Sequence, residues 1–205
     1  AHQLTPAAHS HVDTDQGKFL LRIAGIDGLN NEAAAQALVG DTVHVPPLLH
    51  HAVHADTRCF VYRFIEGTSL QQRILEDGRC ADGLLEQVAH AAAVIHSTPD
   101  ESTVHLAQYD VPPYEVWYQA FLGHSAVQAK MGTGMLARAN RLVADKAGFI
   151  PAVDQHHSLI HNDFRPANML VDRQDRVWFV DWEGSWRGHT LADPGQFFRY
   201  RSFFS

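Results

Sequence analysis

The stretch His161-Asn-Asp-Phe-Arg-Pro-Ala-Asn168, followed downstream by Asp181-Trp-Glu183, decides the fold of this chain of 205 residues. Short apolar segments bounded by polar turn residues flank these two motifs, and such segments are typical of β-strands. The predicted strands lie at 158–160, 168–171 and 177–180. We therefore predict a strand–loop–strand hairpin that carries both motifs.

The two motifs place three carboxylates and the carboxamide of Asn168 on this predicted hairpin. Asp163 and Asn168 belong to the loop, and Asp181 and Glu183 follow the second strand of the hairpin. Phosphoryl transfer uses such a set of groups. A carboxylate serves the attacking hydroxyl, and oxygen ligands hold the Mg²⁺ that accompanies the nucleotide phosphates.

The pattern His-x-Asp-x-x-x-x-Asn, followed by an apolar strand and Asp-x-Glu, resembles the catalytic loop and metal motif of the aminoglycoside phosphotransferase/choline kinase superfamily. Its members are small-molecule relatives of the protein kinases. A single Asp or Asn is uninformative, whereas the joint match at this spacing is specific. The resemblance implies an α+β, protein-kinase-like fold of two lobes. A small antiparallel β-rich N-lobe is expected to precede a larger helical C-lobe with the catalytic hairpin.

Within the catalytic loop, the resemblance gives Asp163 the role of orienting the substrate hydroxyl or accepting its proton. His161 is expected to brace the loop by hydrogen bonds. Arg165 is expected either to touch the transferring phosphate or to form a structural salt bridge. Asp193, downstream in Leu-Ala-Asp-Pro-Gly, matches an acid that we expect to brace the loop.

The expected metal ligands are Asn168, through its carbonyl oxygen, and Asp181, through a carboxylate between metal and phosphates. Glu183 is expected to reach a second metal ion, directly or through water. The cofactors implied by the resemblance are thus ATP and Mg²⁺.

The expected nucleotide-binding residues lie upstream. Arg22 matches the basic residue that contacts phosphate, usually a lysine, and a guanidinium keeps that role by gripping two oxygens. Glu32 matches the helix carboxylate that pairs with it. A surface cation and an ordinary first-turn acid are the alternatives. The backbone from Arg63 to Ile65 is expected to pair with adenine. Tyr62 lies either behind the adenine or in the core.

The order of predicted elements supports two domains: 1–66 as a nucleotide-binding N-lobe and 67–205 as a catalytic C-lobe. A hinge is expected at 63–68, where Gly67 allows a bend. The N-lobe is predicted to contain a polar turn at 13–16, strands at 17–23, 43–47 and 59–65, and an Asn-capped helix at 30–38. The C-lobe is predicted to contain helices at 84–95, 114–122 and 134–146.

Two features depart from the family pattern. The family places a glycine-containing loop over the phosphates near its start, but the segment 4–12 of this chain has no glycine. The chain also ends at 199–205, a short way past Asp181-Trp-Glu183, on an aromatic segment that favours burial. We therefore expect a chain truncated at its C-terminus.

The composition of the chain argues against some classes of binding partner. The formal net charge of −7 and the lack of a Lys/Arg stripe argue against nucleic-acid binding. No apolar run approaches the roughly 20 residues that cross a bilayer, so no membrane partner is expected. Two cysteines without a disulfide framework favour a reducing compartment, and we expect a cytoplasmic protein. A homodimer is left open.

Asp181-Trp-Glu183 and the stretch 60–67 resemble choline, ethanolamine or thiamine kinases. The resemblance implies an ATP-dependent kinase that phosphorylates a hydroxyl of a small cationic molecule. An aminoglycoside-type antibiotic phosphotransferase is one alternative, and an inactive nucleotide-binding pseudokinase is another. Four aromatic residues either form a box for a quaternary ammonium group or pack the helical lobe: Trp117, Tyr118, Trp182 and Trp186.

Overall fold

The computed structural model describes residues 8–25, 30–104, 106 and 112–199. The chain divides into two compact units. Residues 1–107 together with 158–205 form the first unit, and residues 108–157 form the second. Both motifs and all the predicted site residues belong to the first unit. The predicted domain boundary at residue 66 therefore falls inside this unit and stays a prediction.

The first unit begins with a four-stranded antiparallel sheet in the order β1-β2-β4-β3. Its strands are β1 (Ala8–Thr14), β2 (Gly17–Gly25), β3 (Leu48–His54) and β4 (Thr57–Arg63). The predicted polar turn and the strand that follows it are confirmed as a hairpin, because β1 pairs with β2 from Ala8↔Ile23 to Thr14↔Gly17. Gly17 closes this turn at a φ of +123°, which glycine adopts readily.

The predicted strand at 43–47 is wrong. Pro46 and Pro47 have no backbone N–H to give to a ladder, so regular pairing begins only at Leu48. The segment makes isolated hydrogen bonds instead. The His44 carbonyl accepts from the Phe179 N–H at 2.9 Å, and the Pro47 carbonyl accepts from the Arg63 N–H at 3.0 Å.

The predicted helix at 30–38 is confirmed as α1 (Asn30–Val39). Ala35 and Val39 are buried on its inner face. The chain turns away tightly at Gly40, whose N–H donates to the Gln36 carbonyl at 2.8 Å. A β-carbon on Gly40 would lie 2.9 Å from that oxygen, so glycine fits this position where a side chain does not.

The other described elements of the first unit are short, apart from one helix. The helices are α2 (Leu70–Asp77), α3 (Asp82–His96) and α7 (Ala192–Phe197). The strands are β5 (Thr68–Ser69), β6 (His157–Ile160), β7 (Met169–Val171), β8 (Val177–Phe179) and β9 (Trp186–His189). The predicted helix at 84–95 is confirmed as α3, whereas α2 is absent from our prediction.

The local signals for α2 are clear once its position is known. The Ser69 hydroxyl caps it by accepting from the Gln72 N–H at 3.2 Å, and Gly78 ends it at a φ of +71°. Leu70 and Ile74, four residues apart, are buried on one face.

The predicted catalytic hairpin is formed by β7 and β8, which pair from Met169↔Phe179 to Val171↔Val177. Asp172 holds the turn by accepting from the backbone N–H groups of Gln174 and Arg176. The segment at 158–160 is a strand as predicted, but it is not part of this hairpin. It lies in β6, which pairs with β9.

A hydrophobic core packs the hairpin against the three longer helices of the first unit. Phe164 belongs to the loop at 161–168 and is buried in this core, with its ring stacked 5.5 Å from that of Phe179. The loop is therefore anchored by packing as well as by hydrogen bonds. The main core residues are Val39, Leu70, Ile74, Leu84, Val88, Ile95, Leu159, Phe164, Met169, Val171, Val177, Phe179, Trp182 and Phe197.

The second unit consists of α4 (Tyr114–Gly123), α5 (Ser125–Lys146) and α6 (Ile150–Gln155) in its described part. The predicted helix at 114–122 is confirmed. The helix predicted at 134–146 is the second segment of α5, which is interrupted at Gly132 by a φ of 69°. The Tyr114 N–H donates to Asp154 Oδ1 at 2.9 Å and links α4 to α6.

None of the helices in the described part of the chain is long and apolar enough to cross a membrane.

Gly67 joins the sheet to the hairpin by close backbone contact. A β-carbon on Gly67 would lie 2.6 Å from the Val171 carbonyl oxygen and 3.0 Å from its carbon. Our prediction gave Gly67 the role of a flexible bend. The structure gives a different reason for glycine, namely the approach of two backbones.

We expect Gly67→Ala to lower the free energy of unfolding by about 1–3 kcal/mol, because the added carbon forces β7 to shift. Gly83→Ala is the matched control. A β-carbon there meets nothing within 4 Å, and alanine favours the helix α3. Urea unfolding of both variants measures the effect, and equal stability of the two variants would contradict this explanation.

Candidate active site

A cleft of about 520 Å³ lies within the first unit, between the four-stranded sheet, the connector at 63–67 and the hairpin. Six predicted site residues line it: Arg22, Arg63, Ile65, Asn168, Asp181 and Glu183. Several other lining residues were not predicted, including His9, His11, Leu20, Leu170 and Val180. Leu20 and Arg22 share a face of β2 because the side chains of a strand alternate between its two faces. The spacing of two residues from Arg22 could therefore have predicted that Leu20 lines the cleft.

The Arg22 guanidinium contacts three carboxylates. Nη1 donates to Glu32 at 3.0 Å, and Nη2 donates to Asp181 at 3.2 Å and to Glu183 at 2.7 Å. Burial lowers the pKa of Arg22, but the three carboxylates outweigh this effect and raise the pKa above its ordinary value. Arg22 therefore stays charged and ties α1 to the segment that follows β8.

The Arg22–Glu32 pair expected from the resemblance is thus present, and Glu183 has a different partner from the expected one. Its carboxylate contacts Arg22, and its role toward a second metal stays a prediction. A metal at Glu183 must compete with this ion pair for the same carboxylate.

Glu32 and Tyr62 form a buried pair behind Arg22. Glu32 Oε2 and the Tyr62 hydroxyl are both buried, and neither has a hydrogen-bond partner within the described ranges. The two groups are nevertheless close enough to act on each other electrostatically. Burial and the Glu32 carboxylate raise the pKa of Tyr62, so its hydroxyl stays protonated.

Tyr62 packs in the small core of the sheet with Phe60 and Ala24. It is not among the residues that line the cleft, so its expected place behind the adenine stays a prediction.

Hydrogen bonds join Asp163 and Asn168 in the catalytic loop. Asn168 Nδ2 donates to Asp163 Oδ2 at 2.7 Å and to the Asp163 carbonyl at 3.1 Å. Because both partners can only accept, the amide nitrogen must face Asp163, which leaves Asn168 Oδ1 as a ligand atom. Arg165 Nη2 also contacts Asp163 Oδ2, at 3.0 Å. This is the salt-bridge alternative that we gave for Arg165.

His161 is a neutral brace in this structure. Its Nε2 lies 3.0 Å from the Val180 carbonyl, and its Nδ1 lies 3.3 Å from the Asp163 N–H. A carbonyl only accepts and an N–H only donates, so Nε2 carries the proton. Burial lowers the pKa of His161 despite the opposing charge of Asp193. These contacts support bracing by His161 rather than proton transfer.

Asp193, at the start of α7, holds the loop from beneath. Its completely buried carboxylate accepts from the N–H groups of His161 and Asn162, each at 2.9 Å. His96 Nε2 lies 3.0 Å from the same carboxylate. Asn162 has a φ of +62°, a conformation that is uncommon outside glycine, and the contact with Asp193 fixes it there.

Asp181 has a left-handed backbone, with φ 67° and ψ 55°. The next residue, Trp182, is completely buried and anchors this turn by donating from Nε1 to the Phe179 carbonyl at 2.9 Å. Trp182 therefore packs in the core and does not contribute to an aromatic box.

The connector offers the backbone N–H of Ile65 to a ligand. The Arg63 N–H donates to the Pro47 carbonyl at 3.0 Å, and the Phe64 N–H donates to the Lys18 carbonyl at 3.1 Å. Within the described part of the chain, the N–H of Ile65 meets no acceptor, and Ile65 lines the cleft.

A model of the phosphotransferase enzyme family matches residues 8–204. The chain belongs to this family. Its activity is therefore phosphoryl transfer to an alcohol group.

Solved structures show the same fold. Aminoglycoside phosphotransferase APH(4)-Ia matches with a TM-score of 0.66 at 15% identity, over 98% of this chain and 74% of that one. A thermostable mutant of it, in a ternary complex with ADP and hygromycin B, matches with a TM-score of 0.61 at 14% identity and the same coverage, 98% and 74%. A type VIII aminoglycoside-3'-phosphotransferase matches with a TM-score of 0.53 at 17% identity, over 98% of this chain and 82% of that one. No curated protein matches the chain.

The phosphotransferase family fold confirms the expected α+β, kinase-like architecture. The glycine-free segment at 4–12 is described only from Ala8 onward, so residues 4–7 lie outside the described residues, as do 200–205 at the other end.

The donor set of this phosphotransferase is suited to Mg²⁺. Across the described ranges, no group of three or more His, Cys, Asp or Glu side chains is arranged to hold a metal. The expected set is different, because it combines the carbonyl oxygen of Asn168 with the carboxylate of Asp181, and both line the cleft. Magnesium typically uses one or two carboxylates and takes its other ligands from phosphates and water.

Glu32 makes the stability of this phosphotransferase depend on pH. Burial raises the pKa of Glu32 from 4.5 to about 7; Arg22 and Tyr62 oppose this, while Asp181 and Glu183 add to it. The folded chain thus binds this proton more tightly than the unfolded chain does. The resulting stability is present below pH 4.5 and is lost as the pH rises through about 7.

We expect wild type to lose up to about 3 kcal/mol of unfolding free energy relative to Glu32→Gln as the pH rises through this range. Urea unfolding at several pH values measures the difference. Glu86→Gln is the control, because Glu86 is an exposed carboxylate on α3. Parallel pH profiles for wild type and Glu32→Gln would show that Glu32 does not titrate in this range.

Proposed function

We propose that this phosphotransferase uses Mg²⁺ and ATP to phosphorylate a hydroxyl of a small cationic molecule of the choline, ethanolamine or thiamine kind. The observation that carries the proposal is the convergence of Asn168, Asp181 and Arg22 at one cleft, with Asp163 hydrogen-bonded to Asn168. Asp163, Asn168 and Asp181 lie within one segment of the chain, and Arg22 comes from a distant strand. Each group suits one requirement of phosphoryl transfer.

ATP is supported by the shape and donors of the cleft. Leu20, Leu170 and Val180 give it apolar walls for a base, and the Ile65 N–H can donate to the edge of an adenine. A structure of similar fold holds ADP together with hygromycin B. The triphosphate then extends from the connector toward Arg22.

Asp163 positions the acceptor hydroxyl in this proposal. Its carboxylate is held by Asn168 and Arg165, so it stands in one orientation before the substrate arrives. Orientation of the hydroxyl is the contribution of Asp163 in this proposal. Arg22 supplies positive charge to the phosphates.

Mg²⁺, when bound, neutralises the phosphate charge that develops during transfer. Asn168 Oδ1 and a carboxylate oxygen of Asp181 are the residues of this chain that would hold it. His161 and Asp193 keep both ligands in place, because they fix the backbone on either side of the loop.

A cationic acceptor is supported by the acidic balance of the chain, with its formal charge of −7. Antibiotic phosphorylation is the second candidate, and the observation that favours it is the likeness in fold to aminoglycoside phosphotransferases. Aminoglycosides are polycationic, so the same charge balance suits them. An inactive pseudokinase is the remaining alternative.

The acceptor panel that tests this function consists of choline, ethanolamine, thiamine and several aminoglycosides, with ADP release measured by a coupled assay. We expect turnover with one class. ADP release with aminoglycosides alone would favour the second candidate, and nucleotide binding without any turnover would favour the pseudokinase.

With the acceptor that turns over, Asp163→Asn should lower kcat about 10²- to 10⁴-fold. The binding of Mg·ATP should change little, because Asp163 faces the acceptor. Asp145→Asn makes the same chemical change on an exposed site of α5 and should leave kcat unchanged. A kcat that survives Asp163→Asn would remove Asp163 from the mechanism.

The metal assignment predicts that Asp181→Asn raises the Mg²⁺ concentration for half-maximal rate by about tenfold or more. Loss of one negative ligand weakens the site, while Arg22 keeps its contacts with Glu32 and Glu183. Magnesium titrations of the initial rate, with Asp145→Asn as control, measure the change. An unaltered Mg²⁺ requirement would contradict the assignment.

A further inference from the structure

Two histidines of β1 face the cleft in the region where the family pattern led us to expect a glycine-containing loop. His9 and His11 are two residues apart on one strand, so both side chains lie on the same face of the sheet. Both are exposed, and both line the cleft. Neither belongs to the mechanism described above.

The register of β1 against β2 places the two histidines at different ends of the cleft. His9 lies directly opposite Arg22, and His11 lies directly opposite Leu20. Side chains of opposed residues in an antiparallel pair have β-carbons about 4.5–5.5 Å apart on the same face. His9 thus neighbours the cation assigned to phosphate, and His11 neighbours an apolar wall.

A second contact places His11 beside the connector. Its ring lies 4.5 Å from the ring of Phe64 in an edge arrangement. Phe64 and Ile65 both line the cleft. The Ile65 N–H, which meets no acceptor among the described residues, is suited to the edge of a base. His11 therefore covers the base end of the cleft, while His9 covers the phosphate end.

We propose that His9 and His11 are nucleotide-binding residues, with His9 donating a hydrogen bond to the phosphates and His11 covering the base. The inference rests on the proposed use of ATP and names side chains for a task that backbone N–H groups of a glycine-rich loop can perform. Imidazole suits both tasks, since its N–H is a donor to phosphate oxygens and its ring packs on a base.

The test measures binding of adenosine, ADP and Mg·ATP to the full chain by titration calorimetry. His9→Ala should raise the Kd of ADP and of Mg·ATP by about tenfold and leave the Kd of adenosine unchanged, because only the phosphates lose a hydrogen-bond partner. His9→Gln keeps a donor and should restore part of this loss. His11→Ala should weaken all three ligands by the same factor, about threefold to tenfold.

His54→Ala is the matched control, because His54 is an exposed histidine on β3, the opposite edge strand of the same sheet. It should bind all three ligands as wild type does. Suppose that wild type binds the nucleotides but that His9→Ala weakens the binding of adenosine and ATP equally, or weakens the binding of neither. The inference then fails and the proposed function stands. If wild type binds no nucleotide, both fail together.

Discussion

The buried carboxylate of Asp193 is the constraint on which the catalytic loop depends. An ionised group in the interior loses several kcal/mol of solvation, which only close donors can offset. Asp193 has three such donors, namely two backbone N–H groups of the loop and the ring of His96. If one of them moves away, the charge is left partly unpaired. The loop therefore cannot shift without a large cost, and Asn162 is held in its left-handed conformation.

This constraint reaches the reacting groups through short steps. His161, fixed by Asp193 at its N–H, spans from the Val180 carbonyl to the Asp163 N–H. Asp163 in turn accepts from the side chain of Asn168. Hydrogen bonds of known direction thus connect His161, Asp163 and Asn168 with one another and with Val180, the residue before Asp181. These contacts hold the carboxylate of Asp163 in place, and the proposed orientation of the acceptor hydroxyl requires such a fixed carboxylate.

The sequence predicted this half of the site because its contacts are local or lie within one short segment. Asp163, Asn168 and Asp181 follow from a fixed spacing on a hairpin. The strand pattern could not reveal that β6 pairs with β9, since pairing partners depend on the tertiary fold. The strand predicted at 43–47 rested on apolar residues alone and took no account of the backbone N–H groups that two prolines lack.

Long-range contacts were the other part that the sequence did not reveal. Arg22 and Glu183 are 161 positions apart, and nothing in the local pattern of either predicts their contact at 2.7 Å. The facing of His9 and His11 also depends on register, because a shift of one residue turns both side chains to the other face of the sheet. Residue spacing alone was sufficient to predict the motif. The residues that line the cleft could be identified only from the pairing of the strands in the sheet.

The charges around the cleft explain why a metal ion and a triphosphate belong together there. Glu32, Asp163, Asp181 and Glu183 are four carboxylates, and Arg22 and Arg165 are the cations that pair with them. Arg63 adds a third cation to the lining of the cleft. With all seven groups ionised, the formal charge of this set is −1, and protonation of Glu32 leaves it neutral.

A site with almost no net charge attracts a bare triphosphate only weakly, and the proposed Mg²⁺ would supply the missing positive charge. In this structure the ion pairs of Arg22 hold the neighbouring carboxylates of Asp181 and Glu183 together. Under the proposed function, phosphate would take the place of these carboxylates at Arg22, and the metal would take the place of Arg22 at Asp181.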